Sequence, residues 1–238
     1  MKILIVNDDS IHAPGIHMLS RVAAQLGDVY VVAPEDQCSA MAQKLTIREN
    51  LVVRKYENFP APVKGAWSVS GTPVDCVKVA MLYILEEQPD LVLSGVNNGY
   101  NLGFDTAYSG TMGAALEAAR KGVDAIALST SHKNDLQKVE PHVLPTIRKL
   151  LEKPLAPGEL WNVNFPNVND REPKGILWDR PMARISMFTE KYAPVARPDG
   201  SVELLNEGFV TKDDFIAPGT DAEAVRSGYI SVSKFSAF

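Results

Sequence analysis

The chain has 238 residues, of which 45% are hydrophobic and 22% charged, and its net charge is −5. That supplies enough apolar material for a real core in a compact soluble protein. The acidic balance excludes a sequence-independent grip on a nucleic-acid polymer, which needs a clustered basic face. No apolar run approaches the ~20 residues that cross a bilayer, so no membrane association is expected.

Lys2 to Val6 is a continuous apolar run, the mark of a strand buried on both faces of a parallel sheet. It ends at Asn7-Asp8-Asp9-Ser10. Pro14 then opens a helix carrying Ile16, Leu19, Val22, Ala23 and Leu26 at helical spacing, closed by Gly27. Val29 to Ala33 reads as the second strand. Thr72-Pro73 starts a helix with Val74, Val77, Met81, Ile84 and Leu85, Thr72 being a natural N-cap. Asp90 to Ser94 is a further strand, and a glycine- and asparagine-rich loop follows it. Thr111 to Lys121 reads as a helix and Asp124 to Ser129 as a strand. A proline-started helix carries Val143, Leu144, Ile147, Leu150 and Leu151, and Trp161 to Phe165 is one more strand.

Alternating strands and helices predict an α/β fold: a doubly wound, mostly parallel, Rossmann-like sheet over residues 1–165. From Pro166 the rhythm breaks. Pro166, Pro173, Pro181, Pro194, Pro198 and Pro218 punctuate short alternating runs such as Ser201 to Leu205. Residues 166–238 are therefore expected to form a C-terminal hairpin or arm extension, serving either to cover a sheet edge or to assemble subunits. Cys38 and Cys76 show no CxxC spacing and read as free thiols of a reducing compartment, so the expected location is cytoplasmic.

Ligands of open α/β sheets bind beyond the carboxyl ends of the strands. Three loops lie there. Asn7-Asp8-Asp9 follows the first strand, and its two carboxylates converge only where the chain has left strand geometry. Packed together they repel unless a cation holds them. The loop Pro34 to Lys44 contains Glu35, Asp36, Gln37 and Ser39. The stretch Ser94 to Gly103 contains three glycines and three asparagines, which allow close backbone approach to a ligand. Beyond it, Tyr108-Ser109-Gly110-Thr111 enters a helix whose N-terminus suits an anion or a plain N-cap equally well. Carboxylates, a hydroxyl and an asparagine, with no His or Cys cluster, suit a hard cation such as Mg²⁺ or Mn²⁺.

These motifs resemble the SurE family of survival-protein nucleotidases. The residues that carry the resemblance are Asn7-Asp8-Asp9 with His12 to Gly15, Ser39, Gly71-Thr72-Pro73-x-Asp75-Cys76-Val77, and Ser94-Gly95-x-Asn97-x-Gly99-x-Asn101-x-Gly103. Tyr108 to Thr111, Asn162 to Pro166, Gly219-Thr220-Asp221 and Gly228 to Ser231 extend it in order along nearly the whole chain. The resemblance implies one divalent metal ion per subunit, held by Asp8, Asp9, Ser39 and Asn97. It implies a phosphate seated on Ser109, Gly110 and Thr111 with Asn101 nearby, and hydrolysis of nucleoside 5′- and 3′-monophosphates, in some members of polyphosphate too. It also implies a homodimer or homotetramer whose C-terminal segments exchange between subunits. Three positions depart from the family pattern. Ser10 and Ala40 stand where the family has glycine, and Asp36 stands where a basic residue is usual.

On this reading Asp8 or Asp9 is the catalytic carboxylate, orienting or deprotonating the attacking water. Two alternatives stand beside it. A haloacid-dehalogenase-type phosphatase also places aspartates after the first strand, but two apart rather than adjacent. A non-catalytic nucleotide-sensing protein keeps the pocket and loses the turnover.

Overall fold

In the computed structural model, which describes residues 1–210 and 216–238, the first strand β1 is Lys2–Val6. Ile3 and Ile5 face one side and Leu4 and Val6 the other, and none of the four is exposed to solvent. A strand buried on both faces requires helices on both, and the chain supplies them. Helices α1 (Pro14–Ala23) and α4 (Leu136–Leu151) cover the Ile3 and Ile5 side, contributing Ile16, Leu19, Val143 and Ile147. Helices α2 (Pro73–Val79) and α3 (Gly110–Arg120) cover the Leu4 and Val6 side with Cys76, Val77, Met112 and Ala115.

The remaining strands of the core are β2 (Asp28–Pro34), β3 (Val53–Lys55), β4 (Gly65–Val69), β5 (Leu91–Asn98), β6 (Asp124–Thr130) and β7 (Glu159–Phe165). Two more come from beyond residue 165: β8 (Ile176–Leu177) and β13 (Ile230–Ser236). Together they make one sheet of order β3-β4-β2-β1-β5-β6-β7-β13-β8. Strands β4, β2, β1, β5, β6 and β7 run parallel, while β3 and β13 run antiparallel to their neighbours β4 and β7. The mostly parallel, doubly wound α/β sheet expected from the sequence is present, and its order reverses at β1, between β2 and β5.

Several elements differ from expectation. Strand β5 runs on to Asn98, and its register against β6 shifts between Ser94 and Asn97 before pairing resumes at Asn97 with Ser129. Much of the glycine- and asparagine-rich stretch is therefore strand, and it carries Asn97 to the end of the sheet. Helix α4 starts at Leu136, with Pro141 and Pro145 inside it. Its cap is Asp135, whose carboxylate accepts the Gln137 N–H at 2.9 Å, so no proline is needed to start it. Helix α2 stops at Val79 and continues as a π-helical turn, Ala80–Ile84.

An arm leaves the sheet after β8. Strand β9 (Phe188–Thr189) pairs with β12 (Phe209–Val210), and β10 (Tyr192–Ala196) pairs antiparallel with β11 (Val202–Asn206). The chain returns through α5 (Asp221–Arg226) into β13. Among the described residues no helix is long and apolar enough to cross a membrane.

Candidate active site

The turn after β1 brings the paired aspartates together. The Asn7 amide donates to the Ser10 carbonyl at 2.7 Å, and Ser10 sits at φ 90°, in the left-handed region. This bend takes Asp8 and Asp9 out of strand alternation, so both reach one cavity of about 380 Å³. The loop after β2 is tied down beside them. Ile11 N–H donates to the Pro34 carbonyl at 2.9 Å and Cys38 N–H to the Asp8 carbonyl at 2.7 Å, which places Ser39 next to the aspartates. Farther along, that loop rests on α3: a Cβ on Gly113 would lie 2.1 Å from the Ala42 carbonyl oxygen, so only glycine allows the approach. The capping-box carboxylate of Asp75 accepts from Thr46 and Thr72 and fixes the loop's far end.

Strand β5 delivers Asn97, whose Nδ2 donates to the Gly99 carbonyl at 2.9 Å and leaves Oδ1 as the uncommitted atom. Asn101 is held by a buried amide network. Its N–H donates to Asn164 Oδ1, its carbonyl accepts from the side chains of Asn162 and Asn164, and its own amide donates to Ser129 Oγ. Asn162 and Asn164 are adjacent inward positions of β7, so the strand's alternation sets both on one face.

Asp8, Asp9, Ser39, Asn97, Asn101 and Ser109 all line the cavity. Gly110 and Thr111 lie behind that wall, buried at the start of α3, where the Thr111 hydroxyl donates to Asp8 Oδ1 at 2.6 Å. Ser109 is the N-cap of α3, accepting the Met112 N–H at 3.1 Å. Burial lifts the Asp8 carboxyl from its ordinary 3.8 to about 6, with the Asp9 charge adding to the lift and the Thr111 hydroxyl opposing it. Asp9 is raised as well, chiefly by burial, against hydrogen bonds from the Asn98 N–H and Gln37.

The donor set fits a hard divalent cation. Asp8 accepts at Oδ1 from the Thr111 hydroxyl and Asp9 at Oδ2 from the Asn98 N–H, bonds that aim both carboxylates at the cavity. Asn97 Oδ1 and Ser39 Oγ add two neutral oxygens on the same cavity. Oxygen donors with two carboxylates are the chemistry of Mg²⁺ and Mn²⁺.

The survival protein SurE family model matches residues 3–187. The chain belongs to the SurE family. "5′-nucleotidase SurE" of Paramagnetospirillum magneticum is 42% identical over 98% of this chain and 88% of its own length. The protein of the same description from Flavobacterium psychrophilum is 40% identical over 97% and 89%. The crystal structure of the Aquifex aeolicus SurE protein superposes with a TM-score of 0.83 at 33% identity, covering 99% of this chain and 93% of that one.

Two departures from the SurE pattern keep the backbone that glycine would have allowed. Ser10 lies at φ 90° and Ala40 at φ 55°. At Ser10 the side chain adds a partial compensation, its Oγ accepting the His12 N–H at 3.3 Å. His12 itself is exposed, lies off the cavity and meets Tyr56 Oη at 3.3 Å.

Asp105, Phe188 and Glu190 also line the cavity, and sequence reasoning did not select them. Asp105 sits in the 3₁₀ turn Gly103–Tyr108, just past the motif that drew attention. Phe188 and Glu190 come from the root of the arm, more than 80 positions away along the chain. An aromatic residue in an irregular segment carries no signal of that destination.

Proposed function

We propose that the protein is a divalent-metal-dependent phosphomonoesterase that hydrolyses nucleoside 5′-monophosphates, and 3′-monophosphates as a second class, to nucleoside and phosphate. The observation that carries this reading is the charge of the cavity. Asp8, Asp9, Asp105 and Glu190 line it, and among the described residues no lysine or arginine does. A phosphate dianion enters such a place only with a cation to neutralise it. The 5′-nucleotidase names of the relatives at 34–42% identity point to the same reaction.

Asp8, Asp9, Ser39 and Asn97 would hold the ion, Mg²⁺ or Mn²⁺, one per subunit. When bound, it supplies Lewis-acid polarisation of a phosphoryl oxygen and acidifies water. The chain's own residues do the rest. Asn101 and Ser109 border the space for the phosphoryl group, and the N-terminal end of α3 at Gly110 and Thr111 puts its positive dipole end behind it. Thr111 fixes the rotamer of Asp8, and the Asn98 N–H fixes Asp9. One of these two carboxylates aligns the attacking water and takes its proton.

The same reading makes the chain a homodimer or homotetramer, assembled through the part of residues 166–238 that stands off the sheet. It also places the protein in the cytoplasm, where its two free, buried thiols Cys38 and Cys76 stay reduced.

The test is phosphate release from 5′-AMP and 3′-AMP by metal-stripped protein titrated with Mg²⁺ and then Mn²⁺. Release is expected only with metal, and Asp8→Asn is expected to lower it at least about a hundredfold. Folded protein that binds AMP and releases no phosphate at any metal concentration would replace this reading with a nucleotide-sensing one.

A further inference from the structure

The carboxylate of Asp105 faces a segment far along the chain. Its Oδ2 accepts the Met187 N–H at 2.9 Å and the Phe188 N–H at 3.1 Å, across sequence separations of 82 and 83. The joint continues at Phe104, whose N–H donates to the Ile185 carbonyl at 2.9 Å. The root of the arm is thereby fastened to the 3₁₀ turn at the cavity rim, and Phe188 becomes part of the cavity wall.

The ring of Phe188 is also held in place. It lies against Gly208, where an added Cβ would fall 2.0 Å from Phe188 Cζ. Tyr108, at the other end of the turn that carries Asp105, lines the same cavity. Both rings remain open to solvent, Tyr108 at 61% and Phe188 at 45%. Two exposed aromatic rings thus share a cavity that also contains carboxylates, amides and hydroxyls. A ligand that meets this division has an anionic end for the Asp8 and Asp9 region and a flat π-system for the rings. Stacking on aromatic side chains reads the π-face common to every nucleobase and needs no hydrogen-bond code.

We propose that Phe188 and Tyr108 form the nucleobase platform of this site, and that Asp105 is the positioning residue that keeps Phe188 on it. The inference rests on the phosphomonoesterase reading and names the part of the substrate beyond the phosphate. It makes the enzyme tolerant of base identity, with purines favoured over pyrimidines through their larger stacking area.

The test compares 5′-AMP with ribose 5-phosphate, which has the same phosphate and sugar but no base. Phe188→Ala changes a residue with a half-open ring, so it leaves the core intact. It is expected to raise KM for AMP about tenfold with kcat little altered, and to lower the ratio of kcat/KM for AMP to that for ribose 5-phosphate by a similar factor. Phe188→Trp is expected to restore both. Asp105→Ala is expected to reproduce the Phe188→Ala pattern, whereas a merely structural loss would lower turnover of both substrates together. Gly208→Ala, which pushes the ring aside, should shift KM for AMP the same way. A substrate ratio within twofold of wild type in Phe188→Ala would overturn the platform, and one within twofold in Asp105→Ala would overturn the positioning role. Failure of the wild type to release phosphate from either substrate would instead bring down the phosphomonoesterase reading, and the inference with it.

Discussion

Asp8 illustrates how a candidate site residue is kept at a cost to the fold. The residue is 4% exposed, it lies beside Asp9, and its carboxyl is lifted from 3.8 to about 6. Because the folded pKa lies above the unfolded one, the folded state binds more protons between those values. Stability of the metal-free protein therefore falls as pH rises from about 4 to about 6 and then levels off. At about 1.4 kcal/mol per tenfold change, the full effect is about 3 kcal/mol. Asp8→Asn keeps an acceptor for the Thr111 hydroxyl and removes the charge. It is expected to raise the unfolding free energy of metal-free protein at neutral pH by about 1–3 kcal/mol while losing phosphatase activity. Urea melts at pH 4 and pH 7.5 measure this, and a variant less stable than wild type at pH 7.5 would contradict it. Ser10 and Ala40, two of the non-glycine residues at positive φ, set a second balance. A non-glycine side chain at positive φ costs about 1–2 kcal/mol, and glycine returns about 0.5–1 kcal/mol of that through the unfolded chain. Ala40 at φ 55° is exposed and has no side-chain hydrogen bond to lose, so Ala40→Gly should stabilise by roughly 0.5–1 kcal/mol. Ser10→Gly should gain less, because it gives up the bond from the His12 N–H. Destabilisation by Ala40→Gly in the same melts would be incompatible with that backbone.

At the scale of elements, what the sequence disclosed depended on whether burial was local. β1, β2 and β6 are continuous apolar runs, and α1 and α3 carry helical spacing between clear start and stop residues, so their positions were legible to within a few residues. β3 and β4 were not. Val53–Lys55 and Gly65–Val69 are partly exposed near the sheet edge and mix polar with apolar residues, so no periodicity marks them. β13 escaped for a different reason: the alternation of Ile230 to Ser233 is short and breaks at Lys234-Phe235, and its partner β7 lies about 70 positions earlier. The candidate site divides in the same way. Asp8, Asp9 and Ser39 follow strand ends and Asn97 is one of the last two residues of β5, where the rule of carboxyl-end binding points. The buried network of Asn101, Asn162, Asn164 and Ser129 joins three elements, and only the fold makes one object of it. The fate of Asp105 is similar, since its partners Met187 and Phe188 are set by where the arm leaves the sheet.

At the scale of the whole molecule, the β10–β11 hairpin presents an apolar face that stays exposed among the described residues. In the β10–β11 ladder Tyr192 opposes Asn206, Pro194 opposes Leu204 and Ala196 opposes Val202, so these residues share one face of the hairpin. Tyr192, Val202 and Leu204 on that face are 56–58% exposed. A two-stranded hairpin is marginal by itself in water, and an apolar face more than half exposed among the described residues gives it little support. A second copy presenting the same face would supply that support, in keeping with the assembly through the arm proposed above. Replacing both Val202 and Leu204 by lysine puts like charges on each copy of that face, where burial would demand their desolvation. The double variant is expected to sediment as a monomer at concentrations where wild type is a dimer or tetramer. Its core should melt within a few degrees of the dissociated wild type, because neither side chain contributes to the buried clusters on the two faces of the sheet. Light scattering after size exclusion reads the mass directly. An assembly of unchanged mass in the double variant would remove the hairpin from the interface, and a monomeric wild type would remove the assembly itself.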